Sequence, residues 1–490
     1  MSDPRLSREE TFIYKAPIGE VRDRNVLPEF RSLCIQIRMA NNSPTSSNAQ
    51  PSLKRALGLS ALIFYGIILI QPTAPVPLFG AAAVQGKGHV ITAILIGMVA
   101  MLFTAISYGR MANAYPSAGS AYSYVSREIH PALGYFAGWS IIFDYVMIPI
   151  SCVIWASMAA KNIVPEVPFA VFAVIFAFLL TGLNLRGIEA SSRTNVIIVM
   201  GLGVIIVLFL GASVHYLWRQ PPDNFAGWMR PFYDPQTFSW PTVSRGAALA
   251  ELTYNGFDGI STLSEEAHNP RRNILLATVL VCLITGVLAS IQVYAAQLVW
   301  PGTDFPDVDT AFCYVAGKAG GHWLFQTINF AVLIATLGSG AGAHLGAGRL
   351  LYSMGRDNAI PQQFFGVVNP RTRIPSNNII FVGVLMLIGA FAMNYAMCCE
   401  LINFGALFAF MGVNASAFMH YYLRSKRKSI WDLLSPLIGF TVCAYLWWSL
   451  GRMAHVIGSI WLLTGILYGT WRTSFFRKPI QFAKLDSDSD

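Results

Sequence analysis

From Leu57 to about Thr473 one pattern repeats: a run of about 20 mostly apolar residues, a short polar break, then another run. At 1.5 Å of rise per residue, a helix of that length crosses a hydrocarbon core of ~30 Å. Twelve such segments are predicted, at residues 57–84, 90–112, 131–160, 167–185, 194–217, 243–264, 274–300, 322–353, 377–396, 400–423, 433–452 and 455–473. Composition separates this reading from a large soluble core. Only 12% of the 490 residues are charged and 54% are hydrophobic, with a mean hydropathy of +0.50. Soluble domains carry about 25% charged residues, so this chain could not cover several soluble surfaces. A cytosolic enzyme, a secreted disulfide scaffold and a disordered chain are excluded. The expected fold is an all-α polytopic membrane protein with twelve transmembrane helices.

The net charge is +9, but the basic residues sit in short connections between apolar runs and not on one soluble face. The bilayer, and no nucleic acid, is therefore the expected large partner. Their distribution orients the chain. Arg110, Arg127, Arg186, Arg271, Arg272, Arg356, Arg424, Lys426 and Lys428 are among the many on the side of the N-terminal tail. The opposite side holds only Lys87, Lys161, Arg219, Arg230, Arg245, Lys318 and Arg452. Positive residues favour the cytoplasm, so both termini are expected inside the cell membrane, read as a bacterial inner membrane. The seven cysteines are scattered, Cys398 and Cys399 are adjacent and no CxxC occurs, which indicates neither a disulfide framework nor a metal site. Asn41 and Asn414 open N-x-S matches that fall in the tail and in an apolar run, so neither reads as a glycan site.

Residues 1–52 are polar and read as a disordered cytoplasmic tail without a secretory signal. Met39 opens Met-Ala-Asn-Asn-Ser-Pro, an ordinary start, so residues 1–38 are expected to be a dispensable extension. The transporter-like body is expected at 53–477, with one five-helix half at 57–217, a second at 243–423, two further helices at 433–473 and a short tail at 478–490.

Two segments are interrupted. The first reads Gln71-Pro72-Thr73-Ala74-Pro75-Val76-Pro77 at midspan, and three prolines remove the bonds a regular helix needs. The sixth reads Glu251-Leu252-Thr253-Tyr254-Asn255-Gly256-Phe257-Asp258-Gly259, a Gly pair around an acid. These segments open the two five-helix halves, and matched interruptions are the best sequence pointer to a binding site in a transporter. The bland alternative is a packing kink.

Ionisable residues within the segments are few, and each costs at least a few kcal/mol unless paired or hydrated. Asp258 can hold an amine, carry a coupling proton or partner a freed backbone N–H. Glu251 can contact a second amine or pair with Arg245. Asp144 lies deep in the third segment, with packing and coupling equally open. His344 in the eighth has a side chain suited to proton exchange, although a hydrogen-bonded buried histidine is the commoner case. Glu265 and Glu266, beside Arg271 and Arg272, form an interfacial ion-pair cluster or an inner gate. The glycines from Gly338 to Gly348 fit close helix packing. No nucleophile–base pattern, phosphate loop or metal motif falls at a usable place, so no catalytic residues, cofactor or metal are expected.

Several stretches resemble the amino acid–polyamine–organocation permeases. They are Phe103 to Arg110 with Tyr115-Pro116-Ser117-Ala118-Gly119-Ser120-Ala121-Tyr122, Gly256-Phe257-Asp258 with Leu263-Ser264-Glu265-Glu266, Arg349 to Asp357, and Leu401-Ile402-Asn403-Phe404-Gly405-Ala406-Leu407. Their order and spacing are most similar to the bacterial putrescine importers, from about Leu53 to the last segment. The resemblance implies a LeuT-type fold, a 5+5 inverted repeat with helices 1 and 6 broken. It also implies uptake of a small amine such as putrescine, or of an amino acid, driven by protons rather than sodium through alternating access. The implied contacts are Gln71, Pro72, Thr73, Tyr254, Asn255, Gly256, Phe257 and Asp258, with Phe257 or Tyr254 covering the amine. One departure stands out: the importers carry an aspartate in helix 1 where this chain reads Thr73-Ala74-Pro75-Val76-Pro77-Leu78. The Gly-rich carboxylate-binding turn of the amino acid permeases is absent too. The rivals are an amino acid permease, as symporter or exchanger, a membrane nutrient sensor built on a transporter fold and, least favoured, a membrane enzyme.

Overall fold

The computed structural model describes residues 57–115, 120–186, 192–264, 267–356, 360–370, 372, 374–426 and 428–473, and among these no strand occurs. The predicted first segment is two helices, α1 (Leu59–Ile70) and α2 (Pro75–Gln85), bent by 55° at the proline-rich break. Then follow α3 (Val90–Ala114), a short α4 (Ser120–Glu128), α5 (Pro131–Ile163), α6 (Phe169–Leu185) and α7 (Ser192–Arg219). After a small α8 (Phe225–Met229), the sixth segment begins as α9 (Trp240–Ala250). It tightens into two 3-10 turns, η1 (Glu251–Tyr254) and η2 (Phe257–Leu263). The remainder is α10 (Pro270–Val299), α11 (Ala311–Gly320), α12 (His322–Arg356), α13 (Gln362–Phe365), α14 (Ser376–Ala392), α15 (Tyr395–Phe418), α16 (Ile430–Ser449) and α17 (Arg452–Thr473). A π-turn, Met419–Leu423, ends α15.

Among the described residues, eight helices are long and apolar enough to cross a membrane, or nine if the bent α1–α2 pair counts as one. The apolar α6 and α14 are shorter. Much of the exposed surface is apolar. Ile197, Val207 and Leu467 are each about two-thirds exposed or more, which in water would cost roughly 25 cal/mol per Å² of apolar area. Lipid removes that cost. The interior is tied instead by amides reaching across helices, as expected where no hydrophobic force drives helices together. Asn329 donates to the carbonyl of Ala159 at 2.7 Å, Asn184 to that of Ala341 at 3.1 Å and Asn378 to that of Gly348 at 3.1 Å.

Packing places the two breaks side by side. Helix α1 lies against α10 and η2, α3 against α10, and α5 against both α12 and α15. Gly256 has φ +118°, and a Cβ there would sit 3.3 Å from the backbone of Leu69, the last turn before the first break. Gly405 brings α15 so close to α5 that a Cβ would meet the Ser140 carbonyl at 2.7 Å, which fixes Asp144 beside α15. Four short helices, α4, α8, α11 and α13, escaped the hydropathy reading, because a window of about 20 residues averages a stretch of ten or fewer away.

Candidate functional site

The first break opens where Ile70 hands over to Gln71, whose φ of +66° is a conformation that a side chain rarely adopts. The freed groups are taken up from other helices. Gln292 of α10 donates to the Pro72 carbonyl at 3.0 Å, and Gln71 donates to the Ala335 carbonyl of α12 at 3.4 Å. Thr73 is buried at the turn. The second break is treated in the same way. Asn403 of α15 donates to the carbonyls of Ala248 and Leu249 at 2.6 and 3.2 Å, and the Tyr254 hydroxyl donates to the Ile94 carbonyl of α3 at 2.8 Å. Backbone groups opened inside a membrane protein need partners of this kind. The first break is thus braced from α10 and α12, and the second from α15 and α3.

Three acids converge here. Asp144 of α5, Glu251 at the start of η1 and Asp258 in the first turn of η2 lie within electrostatic reach of one another. Among the described residues, none of the three forms an ion pair with a Lys or Arg. Their surroundings differ. The Asp258 carboxylate lies beside the N–H groups of Asp258, Gly259 and Gly256, of which that of Gly259 also donates to the Gly256 carbonyl at 3.2 Å. Asp144 is partly accessible, and its Oδ1 has no hydrogen-bond partner. Glu251 is wholly buried and neither of its oxygens has a partner. Asn255, between the two turns, leaves both its amide oxygen and its nitrogen unpaired.

Several expectations change in the structure. Glu251 does not pair with Arg245: the arginine is exposed on α9, while the acid is sealed inside. Tyr254 and Phe257 are fully buried in this conformation, so neither presents a ring face to an open cavity. Phe257 lies in an aromatic cluster, with ring centroids 5.4 Å from Tyr108 and 5.3 Å from Phe410, and Tyr124 of α4 continues it from Tyr108 at 6.1 Å. His344 is not brought to the acids. Its Nε2 bonds the Ile379 carbonyl at 2.8 Å, which locks α12 to α14. Glu265 and Glu266 lie outside the described residues.

A cluster that was not anticipated ties α4 to the end of α15, where α3 ends and α5 begins. Glu128, the last residue of α4, is fully buried and accepts from Arg424 at 2.8 Å, from Tyr115 and, at 2.5 Å, pairs with His420. A second Arg424 nitrogen donates to the Glu128 carbonyl at 2.8 Å. Burial and the Glu128 bond hold the Tyr115 phenol up at about 12, so it remains a donor at physiological pH. Alongside, Arg110 pairs with Asp432 and lies over the Tyr421 ring at 4.0 Å. In the sequence these arginines signalled only membrane orientation. The spacing of one acid in α4 from a π-turn almost 300 residues later leaves no periodic trace.

Gly256 offers a direct check on the break. An alanine there would have to hold φ +118° with its Cβ 3.3 Å from Leu69 and Ile70, a strain of about 1–3 kcal/mol. Gly256→Ala is expected to lower the melting temperature in detergent by a few degrees, and Gly256→Val by more. Unchanged melting of Gly256→Val would show that the break relaxes freely.

The family described as amino acid permease matches residues 60–479. The chain is 35% identical over 452 residues to the low-affinity putrescine importer PlaP of Escherichia coli (strain K12), covering 90% of this chain and 98% of that protein. It is also 27% identical to the methylthioribose transporter of Bacillus subtilis (strain 168), over 86% of this chain and 94% of the relative. Identity to the branched-chain amino acid permease BcaP of the same organism is 25%, over 89% and 96%. With its broken helices, lipid-facing surface and matches running nearly end to end, the chain belongs to the amino acid permease family within the amino acid–polyamine–organocation superfamily, a polytopic membrane transporter and not an enzyme.

Proposed function

We propose that this protein imports a small organic amine, with putrescine as the leading substrate, by alternating access driven by protons. One observation carries the reading: three acids meet beside the opened helices and, among the described residues, no Lys or Arg pairs with them. A diamine brings a positive charge at each end. Asp258, beside the second break, is suited to one ammonium, and the partly accessible Asp144 to the other. Asp144 thereby replaces the acid missing from helix 1. The unpaired Asn255 amide and the backbone near Gln71–Thr73 complete the contacts.

In this reading all twelve segments cross the membrane as a 5+5 inverted repeat with two added helices. The reciprocal bracing of the breaks, α10 on the first and α3 on the second, supports that symmetry. Both termini lie in the cytoplasm, and the Glu128–Arg424 cluster closes the cytoplasmic face. An α-amino acid fits less well, because its carboxylate needs N–H donors and those at Gly256–Gly259 face Asp258.

Uptake of radiolabelled putrescine into proteoliposomes tests this directly. Accumulation is expected to rise with an inward proton gradient and to be competed by diamines but not by branched-chain amino acids. Vesicles that accumulate an amino acid and exclude putrescine would overturn the substrate assignment.

A further inference from the structure

We propose that Glu251 is the residue that carries the coupled proton, neutral while its pocket is closed and ionised when the pocket opens to water. This rests on the reading of the chain as a proton-driven amine importer and assigns the coupling within it. Glu251 differs from its two neighbours in one physical respect. Asp258 has backbone donors and Asp144 keeps accessible surface, whereas Glu251 is sealed with both oxygens unpaired. An ionised carboxyl without donors or a counter-charge in such a place costs several kcal/mol, and a protonated one far less.

Every element packed around it leaves it without relief. The titratable groups that face it are Asp144 from α5, Asp258 from η2, Tyr254 from η1, Cys282 from α10 and Cys443 from α16. The two aspartates would repel a third anion. The Tyr254 hydroxyl is committed to the Ile94 carbonyl, and the Asn403 amide to Ala248 and Leu249. On α3, Gly97 faces the Glu251 backbone and brings no side chain. The closed conformation is therefore reached only with a proton on Glu251. Water on the side to which the site is open supplies it, and water on the other side removes it when η1 becomes exposed there. The amine crosses in the same passage.

Glu251→Gln mimics the protonated acid permanently. In proteoliposomes the variant is expected to retain counterflow, since preloaded and external amine can still exchange through closed states. Accumulation driven by a one-unit inward pH gradient should fall by about tenfold, the factor one coupled proton supplies. Gradient-driven accumulation equal to wild type would overturn the proposal. So would a monodisperse variant that has lost counterflow as well, because Glu251 would then be a substrate ligand. The unmodified protein gives a second readout that needs no variant. Dicyclohexylcarbodiimide attacks protonated carboxyls in apolar surroundings, and peptide mass spectrometry is expected to find it on Glu251, with labelling falling as pH rises. Label on Asp144 or Asp258 with none on Glu251 overturns the assignment even if the variant does not assemble. Labelling is independent of the substrate carried, so failure of putrescine uptake in wild type with Glu251 labelled would count against the substrate reading alone.

Discussion

Asp258→Asn is expected to abolish amine uptake and to leave a folded, membrane-inserted protein. The substitution is nearly isosteric and keeps an oxygen that can accept from the Gly256, Asp258 and Gly259 N–H groups. If Asp258 only satisfied the opened backbone, asparagine would serve almost as well. A charged ligand makes a different demand. At about 4 Å and an effective dielectric constant of about 20, an ammonium gains roughly 4 kcal/mol from a carboxylate, which is up to about a thousandfold in affinity. Asparagine forfeits that gain. The effect should appear in equilibrium binding as well as in flux, so counterflow is lost too, which separates this variant from Glu251→Gln. Asp258→Glu should keep the charge but misplace it and recover only part of the activity. Full transport by a well-folded Asp258→Asn protein would return Asp258 to a backbone-supporting role and leave Asp144 as the sole amine partner.

The two breaks were legible in the sequence because their causes are local. Pro72, Pro75 and Pro77 cannot sustain a continuous helix, and α1 stops at Ile70 before α2 restarts at Pro75. Gly256, at φ +118°, supplies the left-handed angle at which the sixth segment turns, and Asp258 stands two residues beyond it. What the sequence hid depends on rotation and on distance along the chain. Six residues at about 100° each place Glu251 and Arg245 roughly 120° apart on a helix, so they never shared a face. The 3-10 winding at Glu251–Tyr254 then turns the acid further inward. Asn403 and Gln292 look like ordinary polar residues in apolar runs, and only the fold reveals that they hold the carbonyls of breaks 155 and 220 residues away. Tyr254 and Phe257 were recognised as neighbours of the site by type, whereas their orientation, one hydroxyl on Ile94 and one ring against Tyr108, is set by helices that contribute no signal to local sequence.

The same dependence makes Arg424→Ala the second large expected effect. Glu128 has no exposed surface, and Arg424 gives it both a charge and two hydrogen bonds, one of them to its carbonyl. Removing one partner of a buried pair costs about 3–5 kcal/mol, and because the arginine side chain is 53% exposed, water takes over some of its role and the expected loss is about 2 kcal/mol. The melting temperature in detergent should fall by several degrees, and Arg424→Lys, which keeps the charge but not the forked geometry, should lose less. Helix α4 also carries Tyr124, which reaches Phe257 through Tyr108, so the clamp at one end of the short helix and the ring cluster under the second break share one rigid element. Loosening the clamp should therefore favour opening at this face. Arg424→Ala is expected to bind amine with nearly unchanged affinity yet to release preloaded amine from proteoliposomes faster than wild type. Melting and efflux both equal to wild type would mean that the Glu128 cluster is ornament on the closed face, and that closure is held by the Arg110–Asp432 pair and the Phe257 ring cluster instead.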